Sequence, residues 1–200
     1  FYFLVFLYHS IFAQYDANWP TDSLMLKFDN QGLVSISNSY ASQMSTESSV
    51  SDLQGNLQYY IANDRNLGNK GHIYNNDNQP ILDGTDIRYS KMWNSTLFLP
   101  FRGTSYIGLI TPQTNSPGSE TFYWYNEIDT NNNEVIKKNI RLSPEGVPMK
   151  MGVAPIRHAN GRDWWVIMHN LLGRNYYVWH CSPDSFRLDS VYFMGAFVGL

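Results

Sequence analysis

Apolar residues in this chain fall in short runs, separated by clusters rich in Asn, Asp, Gly and Pro. A helical period is almost absent, so the pattern predicts strands joined by turns. LMLKFD (24–29) and GLVSIS (32–37) flank Asn30-Gln31 as a hairpin, and the Ser-rich SNSYASQMSTESS (37–49) reads as a loop. NLQYYIA (56–62) follows a turn at 52–55 that ends in Gly55, and HIYN (72–75) runs into the turn NNDNQP. TLFLPF (96–101) and SYIGLIT (105–111) pair around 102–104, and TFYWYNEID (121–129) and EVIKKNIRL (134–142) flank TNNN. GVAPIRHA (152–159), DWWVIMH (163–169), NYYVWHC (175–181) and FRLDSVYF (186–193) complete about a dozen strands.

Tyr59-Tyr60, Trp164-Trp165 and Tyr176-Tyr177 put large rings on consecutive strand positions. Successive side chains of a strand point to opposite faces, so each pair loads both sides of its sheet with apolar surface. A sheet with one wet face alternates apolar and polar instead. Both faces are therefore expected to be covered, as in blades stacked around a propeller axis. SDLQGNLQYYIAND (51–64) and RHANGRDWWVIMHN (157–170) share a polar lead, a Gly turn, an aromatic pair and an Asn-bearing exit. A fainter copy lies at 94–111, and the spacing is blade-sized. The expected fold is all-β, a partial β-propeller of about three to four WD40-like blades over 14–200, truncated at both ends.

The first residues, FYFLVFLYHSIFAQ, are apolar and end in a small residue before Gln14. They are too short to span a bilayer and fit the remnant of a secretory signal over 1–13, with a hydrophobic first strand as the alternative. VYFMGAFVGL at the far end reads as a strand whose apolar face needs a further strand over it, so further blades of the same chain are expected. No transmembrane segment is expected.

Composition narrows the partners. Charged residues make up only 16% of the chain while aromatics also reach 16%, enough large side chains to exclude disorder. A net charge of −3 with scattered Lys and Arg offers no basic face, which argues against nucleic acid. Cys181, the single cysteine, excludes an internal disulfide or a thiolate-rich zinc site and reads as a small buried hydrophobe.

RHANGRDWWVIMHN holds the densest candidate chemistry. Asn160-Gly161 signals a two-residue hairpin turn of type I′, with Arg162 and Asp163 solvated beside it. Trp164, Val166 and Met168 should share one face, and Trp165, Ile167 and His169 the other. His158 and His169 lie on opposing arms with no third ligand indicated, so structural roles are expected and no catalytic, cofactor or metal residue is assigned. The residues assigned to turn and core are Gly55, Tyr59, Tyr60, Asn160, Gly161, Asp163, Trp164 and Trp165.

SDLQGNLQYYIAND, IYNNDNQPILDG (73–84), IRHANGRDWWVIMHN and NYYVWHCSPDSF (175–186) resemble the secreted β-propeller-like proteins of Bacteroidetes-type bacteria. HANGRDWW is the most specific of these runs, and the resemblance extends from about Ser51 to Phe186; Ser182-Pro183-Asp184 departs from the usual T-P-x-G. It implies a surface or secreted protein, often with a C-terminal sorting domain for type IX secretion, and carries over no catalytic residues. A non-enzymatic binding, adhesion or scaffold role is expected, with an extracellular glycan or envelope protein as partner. Trp19, Trp93, Trp124 and Tyr106 are candidate stacking residues, with the filling of core between blades as the favoured reading of each. A propeller-type glycoside hydrolase is the alternative, with Asp52, Asp64, Asp86 and Glu127 as candidate carboxylates; it requires two of them facing one cleft. The D-x-N-x-N run at Asp129–Glu134 offers calcium-type oxygen ligands but lacks the Gly of an EF-hand, and reads better as a hairpin turn.

Overall fold

The computed structural model describes residues 18–21, 24–29, 32–38, 44–64, 70–90, 95–115 and 120–194. The expected signal remnant, Trp93 and the final GAFVGL lie outside the described residues. Among the described residues there are fifteen strands and no helix, so the fold is all-β. β1 (Asn18–Thr21), β2 (Leu24–Asp29) and β3 (Gly32–Asn38) form a three-stranded sheet. Three four-stranded sheets follow, each an antiparallel meander in chain order. The first holds β4 (Met44–Ser51), β5 (Leu57–Asp64), β6 (Lys70–Asn75) and β7 (Ile87–Arg88). The second holds β8 (Leu97–Pro100), β9 (Tyr106–Thr114), β10 (Thr121–Asp129) and β11 (Glu134–Arg141). The third holds β12 (Ala154–Arg157), β13 (Trp164–His169), β14 (Asn175–Cys181) and β15 (Phe186–Phe193).

Sequence and fold part company at β4. The Ser-rich stretch expected as a loop is a strand from Met44 onward, with Ser48 opposite Ile61, Ser49 opposite Tyr60 and Val50 opposite Tyr59. Serine has little strand preference of its own, so the order comes from pairing with the aromatic β5. The Ser49 hydroxyl donates to the Asn18 carbonyl, and the Asn18 side chain donates to Ser51 Oγ (2.8 Å) and the Gly55 carbonyl (2.9 Å). Those bonds tie β1 to the far end of β4.

Alternation along the strands builds the core. Tyr59, Ile61 and Ile73 of the β4–β7 sheet pack with Ile107, Leu109 and Ile128 of the β8–β11 sheet. The opposite face of β8–β11 supplies Leu99, Ile110, Tyr123 and Tyr125, which pack with Val166, Met168, Tyr177 and Cys181 of β12–β15. The middle sheet is thus covered on both sides. Tyr60 points away from Tyr59, into a separate cluster with Ala62 and Tyr74, where its ring stacks on Tyr74 at 5.2 Å. Burial, then the neighbouring Tyr74, push the Tyr60 phenol up to about 12. Gly108 makes the close approach possible: a Cβ there would come within 2.9 Å of the Tyr125 ring.

Connecting segments also bond across sheets. Leu82, beyond β6, donates its amide to the Asn133 carbonyl and accepts from Val135, while Met149 bonds to Thr121 and Leu171 to Pro148. Tyr125 Oη donates to Glu127 Oε2 (2.5 Å), and Lys137 Nζ reaches Glu127 Oε1 (2.9 Å) and the Pro183 carbonyl of the next sheet (3.2 Å). Glu127 is thus buried with a hydrogen-bond donor on one oxygen and a cation on the other, which offsets the cost of removing its charge from water.

Candidate functional site

Two polar assemblies stand out. The first gathers turns from neighbouring sheets. Between β4 and β5, Asp52 Oδ1 accepts from the amides of Gln54 (2.9 Å) and Asn56 (2.8 Å), and its other oxygen accepts from the Asn56 side chain (3.0 Å). Gly55, at φ 81°, closes that turn in a conformation that glycine adopts without a Cβ penalty. Burial pushes the Asp52 carboxyl up, but the bonds from Asn56, Gln54 and Gly55 outweigh it and hold the group below the usual carboxylate range. An open hollow of about 240 Å³ lies against this turn, with Arg102, Thr104 and Tyr106 on its far side. A second, of about 560 Å³, is lined by Gln58, Asn75, Asn76 and Asn133, and the two meet at Asp52, Gln58 and Thr130. Tyr59 Oη donates to Asn133 Oδ1 at 2.6 Å, bracing one wall. The walls offer amides and hydroxyls, with Arg102 as the cation.

The second assembly sits where β12 turns into β13. The hairpin exists, but its turn differs from the expected type I′. Gly161 alone has positive φ (72°), Gly161 N donates to the His158 carbonyl (2.9 Å) and His158 pairs with Asp163, making a four-residue loop. Asn160 keeps negative φ because its side chain organises the loop: Oδ1 accepts from Arg162 (3.0 Å) and Asp163 (2.9 Å), and Nδ2 donates to Asp163 Oδ2 (2.7 Å). Asp163, expected in solvent, is 3% exposed. The Arg162 guanidinium at 2.7 Å leads in holding its carboxyl below the usual range against the opposing effect of burial. His180 of β14, opposite Trp165, puts Nε2 3.4 Å from Asp163 Oδ2. The rings of His158, Trp165 and His180 form a triangle with centroid separations of 5.2, 5.0 and 5.2 Å.

Trp164 and Trp165 do point to opposite faces. Trp164 joins the interior cluster, donates Nε1 to the Pro100 carbonyl (3.1 Å) and carries the Arg157 guanidinium 3.5 Å above its ring. Sequence reasoning missed His180 as a partner of His158. The two lie 22 positions apart and meet only because β14 pairs beside β13. His169 falls at the other end of β13, bonded to the Asn170 carbonyl at 3.1 Å.

The remaining candidates scatter. Trp124 is 9% exposed, with Arg88 over its ring at 4.1 Å, so it fills core; Tyr106 borders the smaller hollow. Trp19 lies in β1 and Asp64 ends β5. Asp52 is engaged in its own turn, Asp86 in an exposed ion pair with Lys70 (2.7 Å), and Glu127 in the interior with Tyr125 and Lys137. Asp129 accepts from Asn131 (3.0 Å) and Asn132 (2.8 Å) within its hairpin turn. Cys181 is buried, and burial, with Asp163 nearby, pushes its thiol far above the usual value, so it is a poor nucleophile. No described helix is long and apolar enough to cross a membrane. Comparison with protein-family models, curated proteins and solved structures returns no match.

Proposed function

We propose that this chain is a run of β-propeller blades from an exported, surface-located protein that binds an extracellular glycan through the hollows at its turn end. The observation that supports this reading is the stacking of successive four-stranded meanders whose turns meet at one polar surface. Gln58, Asn75 and Asn133 present amides suited to sugar hydroxyls, and Tyr106 offers a ring at the border. The outer face of β12–β15 favours a further blade over it, since Ile156 and Tyr192 there are half exposed. The resemblance carried by HANGRDWW agrees with a secreted propeller-like protein. Separate engagement of Asp52, Asp86 and Glu127 favours binding over glycoside hydrolysis, which uses paired carboxylates.

The test is a glycan array probed with the full chain, beside a Gln58→Ala/Asn75→Ala double variant. Saturable binding to a defined glycan, lost in the variant, is the expected result. Binding to envelope protein alone, or glycan binding indifferent to both substitutions, would overturn the assignment of ligand and site.

A further inference from the structure

We infer that His158, Asp163 and His180 form a binding site for a zinc-class divalent cation, a role separate from the glycan surface. One ring nitrogen from each histidine and one Asp163 oxygen lie within 4.8 Å of one another. His180 Nε2 and Asp163 Oδ2 are 3.4 Å apart. Two ligands each 2.0–2.1 Å from a tetrahedral ion are about 3.4 Å apart, so this edge already has the required length. Two imidazoles and one carboxylate are a ligand set that suits zinc and leaves the fourth position open.

The surroundings fit a cation in three ways. Asp163 is nearly fully buried, which strengthens the attraction of its carboxylate for a cation. Asn160 Nδ2 and Arg162 Nε, each at 2.7 Å, orient that carboxylate, and the long contact from Arg162 Nη2 to Oδ2 (3.4 Å) is the one an ion would replace. The His180 side chain is only 15% exposed, and its ring packs against those of His158 and Trp165 at centroid separations of 5.2 and 5.0 Å. That packing keeps Nε2 directed at the Asp163 carboxylate.

Two contacts compete with the ion. His158 Nδ1 accepts the exposed Asn160 amide at 3.1 Å, so ligation through Nε2 moves the ring proton to Nδ1 and gives up that bond. Arg162 pairs with Asp163 Oδ1 at 2.7 Å from a side chain that is 42% exposed, so an ion that takes Oδ2 displaces the long Nη2 contact and can leave that pair in place. The ion would then join the end of β12 to β14 across β13.

Zinc is titrated calorimetrically into the full chain at neutral pH, alongside H158Q, H180Q and, as a control at the other end of β13, H169Q. One equivalent should bind saturably, about a hundredfold more weakly in H158Q and H180Q and unchanged in H169Q. In the unaltered chain, the ring resonances of His158 and His180 and the Asn160 amide should shift, while those of His72 and His169 stay in place. The resonance pattern decides the matter if a variant fails to fold. Absence of saturable binding, binding that both variants retain, or shifts at other histidines would overturn the site.

Discussion

β10 and β13 are both central strands crowded with aromatic residues, yet they are buried differently. TFYWYNEID in β10 is buried almost continuously, whereas WWVIMH in β13 is buried at alternate positions. Neighbours explain the contrast. β10 lies between the β4–β7 and β12–β15 sheets and packs on both, while β13 packs on the β8–β11 sheet through one face. Apolar pattern therefore reports what a strand is able to bury, and the adjoining sheets determine what it does bury. The same contrast governs charge. Glu127 of β10 is closed off by Tyr125 and Lys137 inside the stack, whereas Asp163 gathers its partners at a half-open edge.

The largest expected effect comes from truncating a residue in the middle sheet, which has a neighbour on each face. Leu109→Ala, in the fully buried interior, should cost about 2–5 kcal/mol by chemical denaturation, because both transfer and cavity terms apply. Ile156→Ala on the outer face of β12–β15, where the residue is 52% exposed, should cost about 1 kcal/mol or less. Equal losses at the two positions would abolish the distinction between the sheets.

A pair on one strand sharpens it. Trp164→Ala removes packing in the second cluster, the bond to Pro100 and the ring under Arg157, so about 2–4 kcal/mol is expected. Trp165→Ala, on the opposite face against His158 and His180, should cost less than half as much in the same denaturation series. A smaller loss at Trp164 would mean that the interior face has been assigned to the wrong side of β13.

Much of this was legible in the chain. The alternation placing Trp164, Val166 and Met168 on one face, and the bounds of β2, β10, β14 and β15, follow from pattern and turn residues alone, whereas which face is interior does not. β4 was not legible, because serines become a strand only when β5 lies beside them. Asp163 misled for a related reason: a charge next to a Gly turn reads as solvated, and only the fold brings Asn160, Arg162 and His180 around it. The meeting of His158 and His180 depends on strand pairing, which local spacing does not encode.

Close packing in the middle sheet gives the next prediction. Gly108→Ala places a methyl 2.9 Å from the Tyr125 ring, which is itself fixed by its bond to Glu127. Overpacking of this kind should cost about 1–3 kcal/mol. Double substitution with Tyr125→Leu should cost less than the two single losses added, since the clash partner is gone.

Acid titration gives the smallest of these effects and probes the edge. The Asp163 carboxyl lies below its unfolded value of 3.8, chiefly through Arg162, with Asn160 and His180 adding to the effect against burial. A group depressed in the folded state contributes stability that is fully present above the unfolded pKa and is lost as pH falls through the folded one. The contribution is therefore intact at neutral pH and disappears below about pH 4. Asp163→Asn should be less stable than the unaltered chain at pH 7, and the gap should narrow steadily as the pH drops through that window. Asp52 and Asp86 are also depressed, so the curve of the Asp163→Asn variant should keep a residual slope. Parallel stability curves for the two proteins between pH 5 and 2 would mean that the Asp163 charge does nothing for the β12–β13 hairpin, leaving the covered sheet alone in drawing stability from its polar groups.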